Sequence, residues 1–138
     1  MILIVCIDEN NGMLFNNRRQ SRDKILLSRI LEIAKDEKLW ITKFSRDMFD
    51  IIENKNIIID DKCIDNAAEN DYCFIENVDI STIIEKVNKI ILYNWNRNYP
   101  ADKYFNISLE NWVISSEDEF TGSSHERITE KIYIRRDK

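Results

Sequence analysis

An apolar run near the start of the chain constrains the fold more than any other feature. Residues 2–7 (Ile-Leu-Ile-Val-Cys-Ile) contain no polar position, so a strand formed by them must be covered on both faces. Such strands occupy the centre of a sheet that carries helices on both sides. The run continues directly into Asp8 and Glu9, with no basic leader and no small-residue cleavage site, which favours a first strand over a signal peptide.

Helical spacing of apolar residues is found in three later segments. Leu and Ile recur at this spacing over residues 24–34, and Ser21 precedes them as the predicted N-cap. A shorter helix is predicted to begin at Ser45, and a capped helix is predicted over residues 79–87. The residues of the shorter helix expected to face inward are Met48, Phe49 and Ile52.

Apolar, β-branched runs between these segments predict further strands. They lie at residues 39–42, 57–59, 72–75, 89–93, 112–114 and 128–134. In the last of them apolar and polar positions alternate, which is typical of an antiparallel strand with one buried face. A length of 138 residues with 43% hydrophobic residues suits one compact domain. We therefore predict a single α/β domain over residues 1–138, with a mostly parallel central sheet, flanking helices and an antiparallel C-terminal strand.

Composition excludes several classes of function. The formal net charge of −5 argues against broad electrostatic binding to nucleic acid. No apolar run approaches the roughly 20 residues that span a bilayer, so we expect a cytoplasmic protein without membrane partners. The cysteines Cys6, Cys63 and Cys73 are odd in number and widely spaced, which predicts neither disulfides nor a metal site but reduced, buried thiols.

Glycine is scarce, and this limits how the chain can bind a nucleotide. Gly12 and Gly122 are the two glycines of the sequence, and neither belongs to a GxGxxG or Walker motif. Phosphate-binding loops use glycine because it tolerates positive φ and has no Cβ to obstruct a ligand. We therefore expect no loop of this type.

The order of several segments resembles that of the dihydrofolate reductases. Residues 4–13 (Ile-Val-Cys-Ile-Asp-Glu-Asn-Asn-Gly-Met) are similar to the first strand and loop of that family. Residues 89–92 resemble the strand after the cofactor helix, and residues 101–105 resemble the family's Gly-Asp-Thr-x-Phe. Residues 112–120 are similar to its Trp-x-x-x-Ser-x-x-Phe, and residues 132–136 to its last strand. The resemblance implies a dihydrofolate-reductase-like fold.

The resemblance also suggests a role for one carboxylate. Asp23 matches the acidic residue that binds the pterin and assists its protonation, which implies a catalytic acid whose proton affinity is raised by desolvation. Alternatively, Asp23 lies in the first turn of the helix and interacts with its exposed amides. Lys103 corresponds to the threonine that supports this acid, and a lysine paired with Asp23 would keep the carboxylate ionised.

At the family's NADPH site, the residues of this chain argue against the cofactor. Residues 42–45 resemble Gly-Arg-x-Thr and retain a cation, Lys43, and a hydroxyl, Ser45, but not the glycine. Where the family has a Gly-Gly pair, this chain has Glu76 and, three residues later, Asp79, whose carboxylates would repel a phosphate. We therefore expect no cofactor.

The loop over residues 16–22 is rich in arginine and amide side chains. It leads into a predicted helix N-terminus, so it is a candidate anion site. The residues assigned to this site are Arg18, Arg19, Gln20 and Arg22, with Lys103, Lys43 and Arg46 on the same rim if the fold matches the family. The alternative is a solvated loop whose arginines pair with nearby carboxylates.

Aromatic residues near residue 95 form a second candidate site. Trp95 and Tyr99, on either side of Arg97, could stack on a base or another ring; alternatively, Trp95 packs against the core. His125, the single histidine, follows Ser123 and Ser124 without a recognisable catalytic pattern, and we assign it no role.

Three functions are consistent with these patterns. The first is a non-reductase binding or interaction protein that holds an anionic small molecule, nucleotide or protein partner near Arg18, Arg19 and Asp23. The second is an NADPH-dependent reductase of a pterin-like substrate, with Asp23 as proton donor. The third is an RNA-binding protein that uses the arginine loop and Trp95, which the net charge disfavours.

Overall fold

A computed structural model gives the fold for residues 1–49 and 56–136. The strands are β1 Ile2–Ile7, β2 Gly12–Phe15, β3 Arg18–Arg19, β4 Leu39–Ile41, β5 Ile57–Ile59, β6 Tyr72–Phe74, β7 Lys89–Asn94, β8 Lys103–Tyr104, β9 Trp112–Phe120 and β10 Ile128–Arg135. The α-helices are α1 Lys24–Ile33 and α2 Cys63–Asn66, and the 3₁₀ helices are Lys43–Met48 and Ile84–Lys86.

The central sheet has seven strands in the order β5-β4-β6-β1-β7-β10-β9. The first five strands run parallel to one another, while β10 pairs antiparallel with both β7 and β9. The prediction of a mostly parallel α/β sheet with an antiparallel C-terminal strand is therefore confirmed. A separate antiparallel sheet, ordered β3-β2-β8, was not predicted.

Strand β1 lies inside the sheet and is buried on both faces, as its uninterrupted apolar run predicts. Leu3, Val5 and Ile7 pack into one hydrophobic cluster, while Ile4 packs into a second cluster on the opposite face. The second cluster includes the buried side of α1. Because successive side chains of a strand point to opposite faces, this one strand contributes to both halves of the core.

Helix α1 begins at Lys24, as the spacing predicts, but its N-cap is not Ser21. Its N-cap is Asp23, whose side chain accepts from the amides of Ile25 and Leu26. Ser21 instead donates its hydroxyl hydrogen to the hydroxyl oxygen of Ser124. The predicted cap was therefore wrong because two good capping residues lie close together and the tertiary contacts decide between them.

Two shorter helical predictions need correction. The segment at Ser45 forms a 3₁₀ helix over Lys43–Met48, and Ile52 lies outside the described residues. Residues 79–87 contain only the 3₁₀ turn Ile84–Lys86, since the Asp79 carboxylate accepts from the amide and hydroxyl of Ser81 and so competes with a helix. None of the helices within residues 1–49 and 56–136 is long and apolar enough to cross a membrane.

Turns in this chain use asparagine where glycine is usual. Asn11, Asn16, Asn17 and Asn96 have positive φ values, whereas neither glycine does. Asn16 and Asn17 form the connection between β2 and β3, so they shape a hairpin turn. Asparagine tolerates this conformation better than other residues with a side chain, so the turns form despite the scarcity of glycine.

Each glycine lies instead against a buried aspartate. A Cβ on Gly122 would lie 2.3 Å from Oδ2 of Asp23 and 2.5 Å from Cδ1 of Ile128. A Cβ on Gly12 would lie 2.8 Å from Oδ2 of Asp8, whose carboxylate accepts from the Gly12 amide. Glycine is required at both positions because the carboxylate of Asp8 or Asp23 occupies the space that a Cβ would need.

The three cysteines are free, and Cys63 and Cys73 are buried in the core, as expected of reduced thiols. Burial raises the pKa of the Cys6 thiol well above its ordinary value. These thiols therefore contribute to packing as small hydrophobic side chains.

We expect Gly122→Ala to destabilise the protein by about 2 kcal/mol, because the added methyl group overlaps Asp23 and Ile128. Urea unfolding followed by circular dichroism measures this change. Ser28→Ala, on the exposed side of α1, is the matched control and should change stability by less than about 0.5 kcal/mol. Equal stability of Gly122→Ala and the control would contradict the close contact.

Candidate functional site

Asp23 lies at the base of a cleft, and its carboxylate is fully engaged by the protein. Its Oδ1 accepts from the amides of Ile25 and Leu26 at 3.0 Å each. Its Oδ2 accepts from the amide and the hydroxyl of Ser124 at 2.7 Å each. The residue is 3% exposed. Because a carboxylate offers about four acceptor positions, none is left for a ligand in this arrangement.

The protonation of Asp23 differs from the expectation for a catalytic acid. Burial raises the pKa of this carboxyl group, but the hydrogen bonds from Leu26 and Ser124 outweigh burial and lower the pKa to about 2. The predicted increase in proton affinity was therefore wrong. Asp23 is ionised at neutral pH.

A chain of short hydrogen bonds leads away from this carboxylate. The Oγ of Ser124 lies 2.7 Å from Nδ1 of His125, and Nε2 of His125 lies 2.6 Å from the hydroxyl of Tyr99. Because ionised Asp23 can only accept, the Ser124 hydroxyl donates to it. His125 then donates from Nδ1 to Ser124 and accepts at Nε2 from Tyr99.

This arrangement differs from a serine nucleophile with its base. In such a site histidine accepts the serine proton and a carboxylate orients the histidine. Here Asp23 contacts Ser124 instead of His125, and the serine proton is directed at the carboxylate. The geometry therefore favours a structural and electrostatic role for Ser124 over nucleophilic catalysis.

The predicted stacking residues are used within the protein. Trp95 is 3% exposed, and its ring stacks on His125 with centroids 4.7 Å apart. The ring of Tyr99 meets His125 edge-on, and its backbone amide donates to Asp8. Trp95 therefore packs against the core, and it does not form an open platform for a base.

The cleft above Asp23 has a volume of about 240 Å³. Leu27 and Met48 form its apolar walls, and Arg22 and Lys24 are the cations among its lining residues. The remaining lining residues are Asp23, Asp47, Ser123 and Ser124. The cleft thus combines apolar surface with exposed charged side chains.

Arg19, from the predicted anion site, is bound to protein carboxylates. Its guanidinium donates two hydrogen bonds to Glu76, at 2.9 and 3.0 Å, and two to Asp47, at 3.1 and 3.0 Å. Burial lowers the pKa of Arg19, but these bonds more than offset burial, and its pKa is raised above the ordinary value. The donors of Arg19 are therefore directed at Glu76 and Asp47.

Glu76 is buried and receives hydrogen bonds from two elements. Besides Arg19, the hydroxyl of Ser45 donates to Glu76 at 2.7 Å. Both residues belong to the 3₁₀ helix Lys43–Met48, but Ser45 is buried and Lys43 is exposed. The predicted remnants Lys43 and Ser45 therefore differ in environment, because Ser45 alone faces this carboxylate.

Lys103 lies away from Asp23. It lines a different cleft, together with Asp79. Hydrogen bonds from Ser81 lower the pKa of Asp79, and the charge of Lys103 lowers this pKa by a smaller amount. No ion pair joins Lys103 to Asp23 in the described part of the chain, so the pairing that the resemblance made possible does not form. Arg18 is exposed on β3 and is not among the residues that line the Asp23 cleft.

Gln20 has one buried polar atom to which no group in the described part of the chain donates. Its Nε2 donates to Oδ2 of Asp8 at 3.0 Å, while Oε1 is buried and accepts no hydrogen bond within the described ranges. The residue lines a cavity of about 10 Å³, which adjoins the Asp23 cleft at Met48. A buried acceptor of this kind is satisfied by a single water or by a donor on a ligand.

Ser124 and His125 are the site residues that sequence reasoning missed. Their contact with Asp23 depends on how the segment before β10 packs against the start of α1, and no local pattern reports this. One signal was available: Gly122 is one of only two glycines, and it immediately precedes Ser123 and Ser124. A rare glycine indicates close packing at that point.

Comparison with known proteins identifies the fold. No protein-family model matches the chain, and no curated protein matches it. Among solved structures, the chain is similar to a dihydrofolate reductase from Enterococcus faecalis complexed with NADP(H) and RAB-propyl, with a TM-score of 0.74 and 11% identity. The alignment covers 99% of this chain and 96% of that chain. The dihydrofolate-reductase-like fold is therefore supported.

The low pKa of Asp23 predicts how the free energy of unfolding depends on pH. The pKa is about 2 in the folded protein and 3.8 ordinarily, so the ionised carboxylate stabilises the fold above pH 3.8, and this contribution disappears as the pH falls towards 2. We expect Asp23→Asn to cost about 2 kcal/mol at neutral pH and progressively less below pH 3.8. Urea unfolding at a series of pH values measures the difference, with exposed Asp36→Asn as control. A cost independent of pH would contradict the assignment.

Arg19 and Arg22 offer a matched comparison, since both pair with Asp47. Arg19 is 13% exposed and Arg22 is 58% exposed. Arg19→Ala strands the buried Glu76 carboxylate, so we expect a loss of about 3 kcal/mol, whereas Arg22→Ala should cost less than about 1 kcal/mol. Chemical unfolding of both variants provides the test, and equal losses would contradict a structural role for Arg19.

Proposed function

We propose that this protein binds a small anionic molecule in the cleft above Asp23 and that it does not use a nicotinamide cofactor. The observation that carries the proposal is the composition of the cleft, where Arg22 and Lys24 border an apolar space between Leu27 and Met48. The two carboxylates that also line the cleft, Asp23 and Asp47, are bonded to Ser124 and Arg19. Pockets for small molecules combine apolar walls with a few polar groups that orient the ligand. The cleft has both.

The cations supply recognition of the anionic group. The side chain of Arg22 is 58% exposed and bonds to Asp47, a carboxylate that also accepts from Arg19. An anion that binds Arg22 would replace Asp47 as the partner of this guanidinium. Asp47 would still be paired, because it also accepts hydrogen bonds from Arg19. The guanidinium suits bidentate binding of a carboxylate or phosphate, and Lys24 adds a second positive charge.

The apolar walls restrict the rest of the ligand. A volume of about 240 Å³ lies below the usual range for small-molecule pockets, which favours a ligand with about one ring. The proposed ligand therefore has an anionic end and a short apolar body.

A reductase is the alternative, and the similarity to a reductase structure supports it. Two features of the site speak against it. Asp23 is a poor proton donor, because it is ionised at neutral pH and its acceptor positions are filled. Glu76 lies where the family resemblance places the cofactor pyrophosphate, and its buried charge is matched to Arg19 and Ser45. These residues do not suit an anionic cofactor.

Phenyl phosphate tests the proposed ligand class, since its ring suits Leu27 and Met48 and its phosphate suits Arg22. We expect saturable shifts of the Met48 methyl resonance in the labelled protein, with affinity about tenfold weaker in Arg22→Ala because one charge-assisted contact is lost. Arg18→Ala is the control and should bind normally. Binding that is unaffected by Arg22→Ala, or no saturable shift at millimolar phenyl phosphate, would overturn the proposed site.

Binding of NADPH distinguishes the proposed function from the reductase alternative. Titration followed by quenching of tryptophan fluorescence should show no saturation at millimolar NADPH in the intact protein. Saturable binding, with turnover of dihydrofolate that Asp23→Asn abolishes, would establish the reductase instead.

A further inference from the structure

Another cavity, of about 150 Å³, shares no lining residue with the Asp23 cleft. We call it the Arg97 recess. Its lining residues are Trp95, Asn96, Arg97, His125, Glu126 and Arg127. They come from two segments, one after β7 and one before β10, which meet because these strands pair antiparallel with Asn94 opposite Thr129.

Hydrogen bonds fix the backbone around the recess. The side chain of Asn96 donates to the carbonyl of Arg127 at 3.0 Å and to the hydroxyl of Thr129 at 2.9 Å, which ties the two segments together. The carbonyl of Arg97 accepts from the amide of Glu9 at 2.9 Å. The Cα positions of both arginines are therefore held before any ligand arrives.

The recess concentrates positive charge in a protein whose net charge is negative. Among residues 1–49 and 56–136, no carboxylate lies within 4.0 Å of the Arg97 guanidinium. Arg127 pairs with Glu119 at 3.6 Å, but both side chains are more than half exposed, so this pair is weak. Glu126 is the acidic residue that lines the recess. The two guanidinium groups thus remain available to an anion.

His125 reports the electrostatics of the recess. Both of its ring nitrogens are already bonded, to Ser124 and Tyr99, so it is not a ligand itself. Burial lowers its pKa, and the charge of Arg97 lowers it further, although Asp23 has the opposite effect. An anion bound between the arginines would cancel part of this positive field and raise the pKa.

We propose that the Arg97 recess binds the phosphate group of a small phosphorylated molecule. The guanidinium groups of Arg97 and Arg127 would each donate to phosphate oxygens, a geometry for which arginine is well suited. The recess, at about 150 Å³, is large enough for a phosphate group. This site is separate from the proposed ligand cleft, and its test does not depend on that proposal.

Inorganic phosphate and ribose 5-phosphate are the probes, and the single histidine makes the readout unambiguous. At constant ionic strength, we expect saturable shifts of the His125 ring protons and a raised His125 pKa. Arg97→Ala and Arg127→Ala should each weaken binding about tenfold, while Glu126→Gln should strengthen it, because one repulsive charge is removed. Arg46→Ala, an exposed arginine elsewhere, is the control.

Several outcomes would overturn the proposal. Equal shifts with chloride would show ionic screening alone, and unchanged binding by Arg97→Ala would place the anion elsewhere. Binding of a short single-stranded RNA without binding of either phosphate probe would identify a nucleic-acid surface instead. Melting temperatures of all variants should stay close to that of the parent protein, because Arg97 and Arg127 are exposed.

Discussion

The contact between Asp23 and Ser124 organises much of this protein. It joins residues 101 positions apart in the chain, and one carboxylate both caps α1 and fixes the segment that leads into β10. Gly122 leaves the space that this carboxylate needs. The Asp23 cleft, the orientation of His125 and the start of the last strand all depend on a negative charge that the fold keeps ionised.

Burial gives different roles to arginines that look alike in sequence. Arg18, Arg19 and Arg22 lie in one loop, yet Arg19 makes a network with buried Glu76, while Arg22 remains exposed. Removing one member of a buried pair leaves a charge without its partner, and an exposed pair is replaced by water at little cost. The same side chain therefore stabilises the fold in one position and is available for binding in another.

The parts of the fold that sequence predicted are those with a continuous local signal. The apolar runs of β1 and β7 and the helical spacing of α1 are such signals, and each element was found near its predicted bounds. The cap at Asp23, the position of Lys103 and the partners of His125 were not predictable in this way. They depend on which distant segments meet, and several residues of suitable chemistry compete for each position.

The asparagine turns influence the chain before it folds. Glycine gives an unfolded chain more backbone freedom than any other residue, and that freedom is lost on folding. By forming left-handed turns with Asn11, Asn16, Asn17 and Asn96, this chain starts from a less disordered unfolded ensemble. Less backbone freedom is therefore lost when these turns form, and this difference belongs to the denatured state, where no contact of the native structure reveals it.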